Sequence, residues 1–65
     1  MVNVNEKKAA EILDVAVQTL RNWRFLQRGP DYLRLGRCIR YRVDDLENYV
    51  ERNKVNPEGS IQTEN

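Results

Sequence analysis

The sequence contains no histidine, a single cysteine (Cys38) and no long apolar run. Without histidine, acid–base catalysis at neutral pH would need a lysine, cysteine or carboxylate with a strongly shifted pKa. One cysteine forms no internal disulfide, and one cysteine without histidine cannot build a zinc site from the usual N/S ligands. No segment approaches the roughly 18 apolar residues of a membrane span. We therefore expect a cytoplasmic protein that uses no cofactor, metal, membrane or small-molecule substrate, and an enzyme is the least favoured class.

Glycine and proline are also scarce, with three and two residues among 65. The three glycines are too scattered to form a phosphate-binding loop. A chain of this length folds as one domain with a small core. From Val55 onward most residues are polar, and the segment has Pro57, Gly59 and no periodicity. We predict a folded domain over residues 1–53 and a disordered tail over residues 54–65.

Charge is the most informative feature that is present. The net charge of +1 conceals a central segment, residues 18–43, with seven arginines and one aspartate. The flanking segments, residues 1–17 and 44–65, have net charges of −1 and −4. The planar fork of arginine suits phosphates and base edges, and a segregated basic segment is typical of nucleic-acid-binding proteins.

Apolar periodicity predicts two helices at the start of the chain. The first begins after Asn5, which suits an N-cap, and has apolar residues at helical spacing up to Leu13. The second extends from Val17 to about Leu26, with Trp23 on its apolar side. We interpret Trp23 as a core residue rather than a base-stacking platform. Two helices joined by a three-residue turn predict a helix-turn-helix.

After residues 28–31, which end the second helix, the apolar period changes from 3.6 to 2. This predicts a short β-hairpin whose outward face is mostly arginine and whose inward residues are Leu33, Leu35, Ile39 and Tyr41. A third helix with acidic residues in its first turn begins near Asp44. The predicted fold is α+β, mainly α: a small winged helix-turn-helix with a two-stranded hairpin as its wing and a third closing helix.

The predicted second helix has polar residues opposite its apolar side. Gln18 and Asn22 carry amides that suit adenine edges, and Arg21 suits guanine. Thr19 reaches a phosphate or a thymine methyl group. For Gln18, Arg21 and Asn22 we favour DNA contact over an ordinary solvated helix face. Arg24 lies toward the buried side, so DNA contact and a structural ion pair both stay open.

The wing and the loop before it supply further basic residues. These basic residues are Arg28, Arg34, Arg37 and Arg40. We expect them to attract phosphates, and Arg37, at the hairpin tip, either does the same or inserts into the minor groove. For Arg42, next to the acidic third helix, a structural ion pair is at least as well supported as a phosphate contact.

Phe25 and Leu26 fit the single-domain interpretation least well. Both stand at the end of the second helix, where they either turn inward or form a patch for a partner or a second copy. The acidic third helix and the tail offer another surface for a partner, because they could not lie against DNA without repulsion.

Residues 8–15 are Lys-Ala-Ala-Glu-Ile-Leu-Asp-Val, and residues 19–24 are Thr-Leu-Arg-Asn-Trp-Arg. Together with residues 28–30, 35–42 and 45–47, these segments resemble, in order and spacing, the excisionase/AlpA-type, MerR-like DNA-binding domain. The first two segments correspond to the first half of that domain, and the later three correspond to its wing and closing helix. The resemblance covers about residues 4–53. The chain departs from the family where Asp14 replaces a turn glycine, Ala16 replaces a serine cap, and Gln27 replaces the glycine that ends the second helix.

The resemblance implies a bacterial or phage protein that binds double-stranded DNA. It acts either as an excisionase, which bends DNA so that an integrase assembles, or as a small transcriptional regulator that occludes or recruits polymerase. A single small domain contacts few phosphates, so a dimer, adjacent copies or a partner would strengthen binding. The competing hypothesis is a protein-interaction module that keeps the fold without using DNA, and its support is Phe25, Leu26 and the missing serine cap.

Overall fold

The computed structural model describes residues 2–57, and they contain three helices and three strands. In chain order these are β1 (Asn3–Asn5), α1 (Glu6–Leu13), α2 (Val17–Phe25), β2 (Leu33–Leu35), β3 (Cys38–Arg42) and α3 (Val43–Arg52). Within this range no helix is long and apolar enough to cross a membrane. The helix-turn-helix, the wing and the third helix of the predicted fold are confirmed.

The turn between α1 and α2 has the local geometry that its residues favour. The Asn5 side chain accepts a hydrogen bond from the Lys8 amide at 2.8 Å and so caps α1. Asp14 ends α1 in the left-handed conformation, with φ 57°. Aspartate is one of the few residues other than glycine that adopt it at modest cost. Asp14 therefore serves where the family has a turn glycine.

Both ends of α2 also correspond to positions where the chain departs from the family. Ala16 stands at the N-cap, and no side chain accepts a hydrogen bond there. The helix ends at Phe25, one residue before the predicted end. Gln27 then has φ 57°, the left-handed conformation for which glycine is the usual residue.

The hairpin is part of a three-stranded antiparallel sheet in the order β1-β3-β2. The prediction of a two-stranded wing therefore lacked one strand. β1 pairs with β3 so that Val4 lies opposite Tyr41. A three-residue strand directly before a helix has too few residues to display alternation, and only its pairing with β3 identifies it.

The two wing strands are joined by a turn of two residues, Gly36 and Arg37. Gly36 has φ +65°, and glycine at the first position is typical of such tight turns. Because the turn has two residues, Leu35 pairs with Cys38, and the odd-numbered residues of β2 lie opposite even-numbered residues of β3.

This register corrects the predicted inward face of the hairpin. Directly paired residues place their side chains on the same face of a sheet. Leu33 and Leu35 therefore lie on the face opposite to Ile39 and Tyr41, and Leu35 is 54% exposed. Arg34, which pairs with Ile39, takes the position assigned to a leucine. The alternation of apolar residues correctly predicted two strands, but the predicted register between β2 and β3 was wrong by one residue.

The core lies where α1, α2 and α3 meet the sheet. Its fully buried apolar residues are Ala9, Ala10, Leu20, Tyr41 and Leu46. Trp23 packs against this cluster, and its ring lies 5.6 Å from that of Tyr49 in α3. The interpretation of Trp23 as a packing residue is confirmed. Residues 54–57 are exposed, and the rest of the predicted tail lies outside the described residues.

Candidate nucleic-acid interface

The outer face of α2 carries a group of polar side chains. Gln18, Arg21 and Asn22 are exposed, whereas Thr19 is partly buried at the start of the helix. The Gln18 side-chain amide donates to Asn22 Oδ1 at 3.1 Å, as residues four apart on a helix can. Three of the five candidate DNA contacts on α2, Gln18, Arg21 and Asn22, are therefore exposed together on one helix face.

Arg21 does not extend freely into solvent, because it is paired with Glu6 at the start of α1. Its Nη2 and Nε donate to Glu6 Oε2 at 2.7 and 3.2 Å. The Arg21 side chain is still 53% exposed, against 25% for Glu6. The pair connects the two helices of the helix-turn-helix, and sequence reasoning missed it because fifteen residues separate its members.

Arg24 is held from three directions. Its Nη2 donates to Glu6 Oε1 at 3.0 Å, and its Nη1 donates to the Tyr41 hydroxyl at 2.9 Å. Its guanidinium also lies over the ring of Tyr32, 5.8 Å from the centroid. The side chain is only 17% exposed. Of the two roles left open for Arg24, the ion pair is present in the structure.

The two arginines affect the ionisation of Glu6. The hydrogen bond from Arg21 is the main reason that the pKa of Glu6 lies below its ordinary value of 4.5. Partial burial opposes this effect, and the hydrogen bond from Arg24 adds to it. The hydrogen bond to Glu6 raises the pKa of Arg21. Burial lowers the pKa of Arg24, but the hydrogen bonds with Tyr41 and Glu6 outweigh this effect, so that the pKa of Arg24 lies above its ordinary value.

The wing presents its arginines differently. Arg34 and Arg37 are exposed, and Arg37 is in the turn at the tip of the hairpin. Arg40 is partly buried, and its Nη1 donates to the Ile39 carbonyl at 2.8 Å. Arg28 is exposed in the loop between α2 and the wing. Within residues 2–57, none of these four forms an ion pair with a carboxylate, so their charge is not neutralised.

A groove, here called the basic groove, separates the start of α1 from the tip of the wing. Its lining comprises Asn5, Glu6, Lys7, Arg24, Arg37, Cys38, Ile39 and Arg40. Glu6 and Arg24 thus connect the groove to the α2 face through Arg21. Lys7 is exposed in the groove and was not among the predicted DNA contacts. Its place on α1, directly before α2, could have identified Lys7 as a candidate from the sequence, because the first helix of a DNA-binding helix-turn-helix crosses the DNA backbone.

Phe25 and Leu26 do not turn inward. Phe25 is 87% exposed and Leu26 56% exposed, although both are large and apolar. The inward alternative is therefore wrong, and the partner surface stays a prediction. For Arg42 the ion-pair interpretation is wrong within residues 2–57: no carboxylate pairs with it there, and its buried Nε has no hydrogen-bond partner.

The described residues include no group of histidine, cysteine and carboxylate side chains that could hold a metal ion. In comparisons with known proteins, a family described as helix-turn-helix domain matches residues 5–54. This match includes every element from α1 to α3. No curated protein gives a significant match to the sequence.

Proposed function

The chain belongs to the helix-turn-helix domain family, the family of excisionase/AlpA-like DNA-binding domains, and is therefore a DNA-binding helix-turn-helix protein; on this basis we propose that it binds double-stranded DNA sequence-specifically. In this proposal α2 enters the major groove and the wing contacts the backbone or the minor groove. The observation that carries it is the continuity between the exposed face of α2 and the basic groove. In a duplex, base edges lie beside phosphates, so a base-reading face next to a basic groove matches this arrangement.

The outer face of α2 supplies the base contacts. The amides of Gln18 and Asn22 match the donor and acceptor of an adenine edge, and the Arg21 fork matches the two acceptors of guanine. Thr19, near the start of the helix, contacts a phosphate or a thymine methyl group. Arg24 is proposed to act on DNA only indirectly, because its side chain is only 17% exposed and two of its N–H groups already donate to Glu6 and Tyr41.

The wing and the basic groove supply contacts that do not depend on sequence. Arg28, Arg34 and Arg40 approach phosphates, and Arg37 at the tip approaches a phosphate or the minor groove. Lys7 adds a charge from the first helix. With about four to six phosphates neutralised, the logarithm of affinity should fall against the logarithm of salt concentration with a slope of about −4 to −5.

Two biological roles use this surface. An excisionase bends DNA beside an attachment site so that an integrase assembles, whereas a transcriptional regulator occludes or recruits polymerase. The two roles are distinguished by adding the protein to an integrase reaction on DNA that carries the bound site. Stimulated excision identifies the first role, and changed transcription from a flanking promoter without an effect on excision identifies the second.

The proposal is tested by selecting bound sequences from a random duplex pool and comparing the selected duplex with a scrambled one in gel shifts at low salt. We expect a defined consensus and tighter binding to the selected duplex. Arg34→Gln combined with Arg37→Gln should weaken binding to both. Arg52→Gln, which removes the same type of charge from exposed residue 52 on α3, is the matched control. No retention of any duplex by the wild-type protein would contradict the proposal.

A second candidate function is protein association through Phe25 and Leu26, which are exposed at the end of α2. The occupant proposed is a second copy of this chain, since a small DNA-binding domain gains affinity from adjacent copies. Phe25→Ser with Leu26→Gln should shift sedimentation toward the monomer and reduce cooperative binding to DNA. A wild-type protein that stays monomeric in solution and on DNA would contradict this association.

A further inference from the structure

Glu6 holds Arg21 in one orientation, and we propose that it is a positioning residue for base recognition. Its carboxylate fixes the Arg21 guanidinium so that the end of the fork faces a guanine. This inference rests on the proposed DNA-binding mode of α2. It concerns a residue of α1 that itself touches no base.

The contact between Arg21 and Glu6 uses only one side of the guanidinium. Nε and Nη2 both donate to Glu6 Oε2, at 3.2 and 2.7 Å. A guanidinium has five N–H groups, and this contact occupies one on Nε and one on Nη2. Among residues 2–57, both N–H groups of Nη1 and the second of Nη2 have no hydrogen-bond partner at the end of the fork. That pair of nitrogens is suited to donate to O6 and N7 of guanine.

Glu6 is itself immobilised, which allows it to orient another side chain. Its second oxygen accepts a hydrogen bond from Arg24, and Arg24 is bonded in turn to the Tyr41 hydroxyl on β3. Tyr41 is fully buried in the core. Glu6 is thus linked to the folded interior, and the loss of side-chain entropy on ordering Arg21 has already occurred in the free protein.

The other ion pair of α1 lacks these features. Lys8 and Glu11 make a single contact of 3.4 Å, and their side chains are 59% and 66% exposed. They lie three residues apart on one helix, and surface pairs of this kind contribute little. Glu11 therefore serves as a matched control, because it has the same charge on the same helix and pairs with Lys8 rather than with Arg21.

The negative charge of Glu6 has a second effect, which makes the proposal testable. A carboxylate near the basic groove weakens the attraction of that surface for phosphates. Removing the charge should therefore strengthen binding to any duplex, while releasing Arg21 should weaken the reading of guanine. If Glu6 acted only through its charge, its removal would change the affinities for the selected and the scrambled duplex in the same direction. If Glu6 only stabilised the fold, its removal would lower both affinities.

The experiment measures the affinities of Glu6→Gln and Glu11→Gln for the selected duplex and for its scrambled counterpart. The guanine read by Arg21 is identified as the position of the consensus at which the Arg21→Ala variant no longer prefers guanine. For Glu6→Gln we expect the ratio of the two affinities to fall about tenfold, as for a bidentate arginine contact that is no longer oriented. Binding to the scrambled duplex should be equal or tighter. Glu11→Gln should keep the wild-type ratio.

A double-mutant comparison completes the test. In an Arg21→Ala background, Glu6→Gln should leave the ratio unchanged, because the side chain that it orients is missing. If Glu6→Gln fails to fold, Glu6→Asp and 7-deazaguanine in the selected duplex give the same comparison. A wild-type ratio in Glu6→Gln, or a consensus with no guanine dependent on Arg21, would overturn the positioning role and leave sequence-specific binding of double-stranded DNA intact. No duplex binding by the wild-type protein would overturn both.

Discussion

Gly29 lies directly against Trp23, so closely that a β-carbon at residue 29 would come within 2.9 Å of Trp23 Cε3. Gly29 also has φ +92°, where side chains are rarely found. The tryptophan ring packs in turn against Tyr49 of α3. The chain thus leaves α2 with Gly29 packed against Trp23, and the ring of Trp23 links this loop to α3.

Gly29→Ala should destabilise the protein by about 2–3 kcal/mol, because the left-handed conformation and the collision with the indole add together. Gly36→Ala is the control, because nothing lies within 4 Å of its β-carbon position and only the cost of positive φ remains. Its expected loss is about 1 kcal/mol. Denaturant unfolding followed by tryptophan fluorescence measures both. Equal losses for the two variants would contradict the role of the Trp23 contact.

Ala16→Ser should stabilise the protein by about 1 kcal/mol, because Ala16 occupies the N-cap of α2 without a side-chain acceptor. The reverse experiment at α1, Asn5→Ala, removes the cap on the Lys8 amide and should cost a similar amount. Thermal unfolding of both variants beside the wild type checks the pair. An Ala16→Ser variant no more stable than the wild type would show that α2 gains nothing from a serine cap.

The free energy of unfolding should depend on pH through the ionisation of Glu6. The pKa of Glu6 is lower in the folded protein than its ordinary value of 4.5, so the folded state binds this proton less readily than the unfolded state. The stabilisation is present above about pH 4.5 and is lost as the pH falls through the lowered folded pKa. Glu6→Gln should flatten the decline in unfolding free energy over this range. Glu11→Gln should retain it, and an unchanged decline in Glu6→Gln would contradict the assignment.

Arg21 and Arg37 should differ in their effects on DNA binding. Arg21→Ala is expected to cost about 1–3 kcal/mol with the selected duplex and much less with a scrambled one, because base contacts carry the specificity. Arg37→Ala should weaken binding to both duplexes about equally and reduce the salt slope by about 1. Titrations of each variant with both duplexes at two salt concentrations measure this. Equal losses on both duplexes for both variants would show that the assigned roles are wrong.

The relation between sequence and fold is clearest in the wing. The alternation of apolar residues indicated two short strands, but alternation has the same period in either register. The two-residue turn pairs Leu35 with Cys38 and places Leu35 on the face opposite to Tyr41. Glycine at residue 36 could have indicated that turn length. β1 could not be found in the same way, because three residues display no period and the strand exists through its pairing with β3.

Local chemistry determined much of this protein in advance. The helix-turn-helix, the cap at Asn5, the left-handed turn at Asp14 and the segregation of arginine depend on neighbouring residues, and neighbours can be read from sequence. The association of Glu6 with Arg21 and Arg24 depends on how α1 packs against α2 and β3, across fifteen or more residues of chain. Only the tertiary structure decided which arginines of residues 2–57 pair with a carboxylate and which do not, because that distinction depends on distances that packing creates.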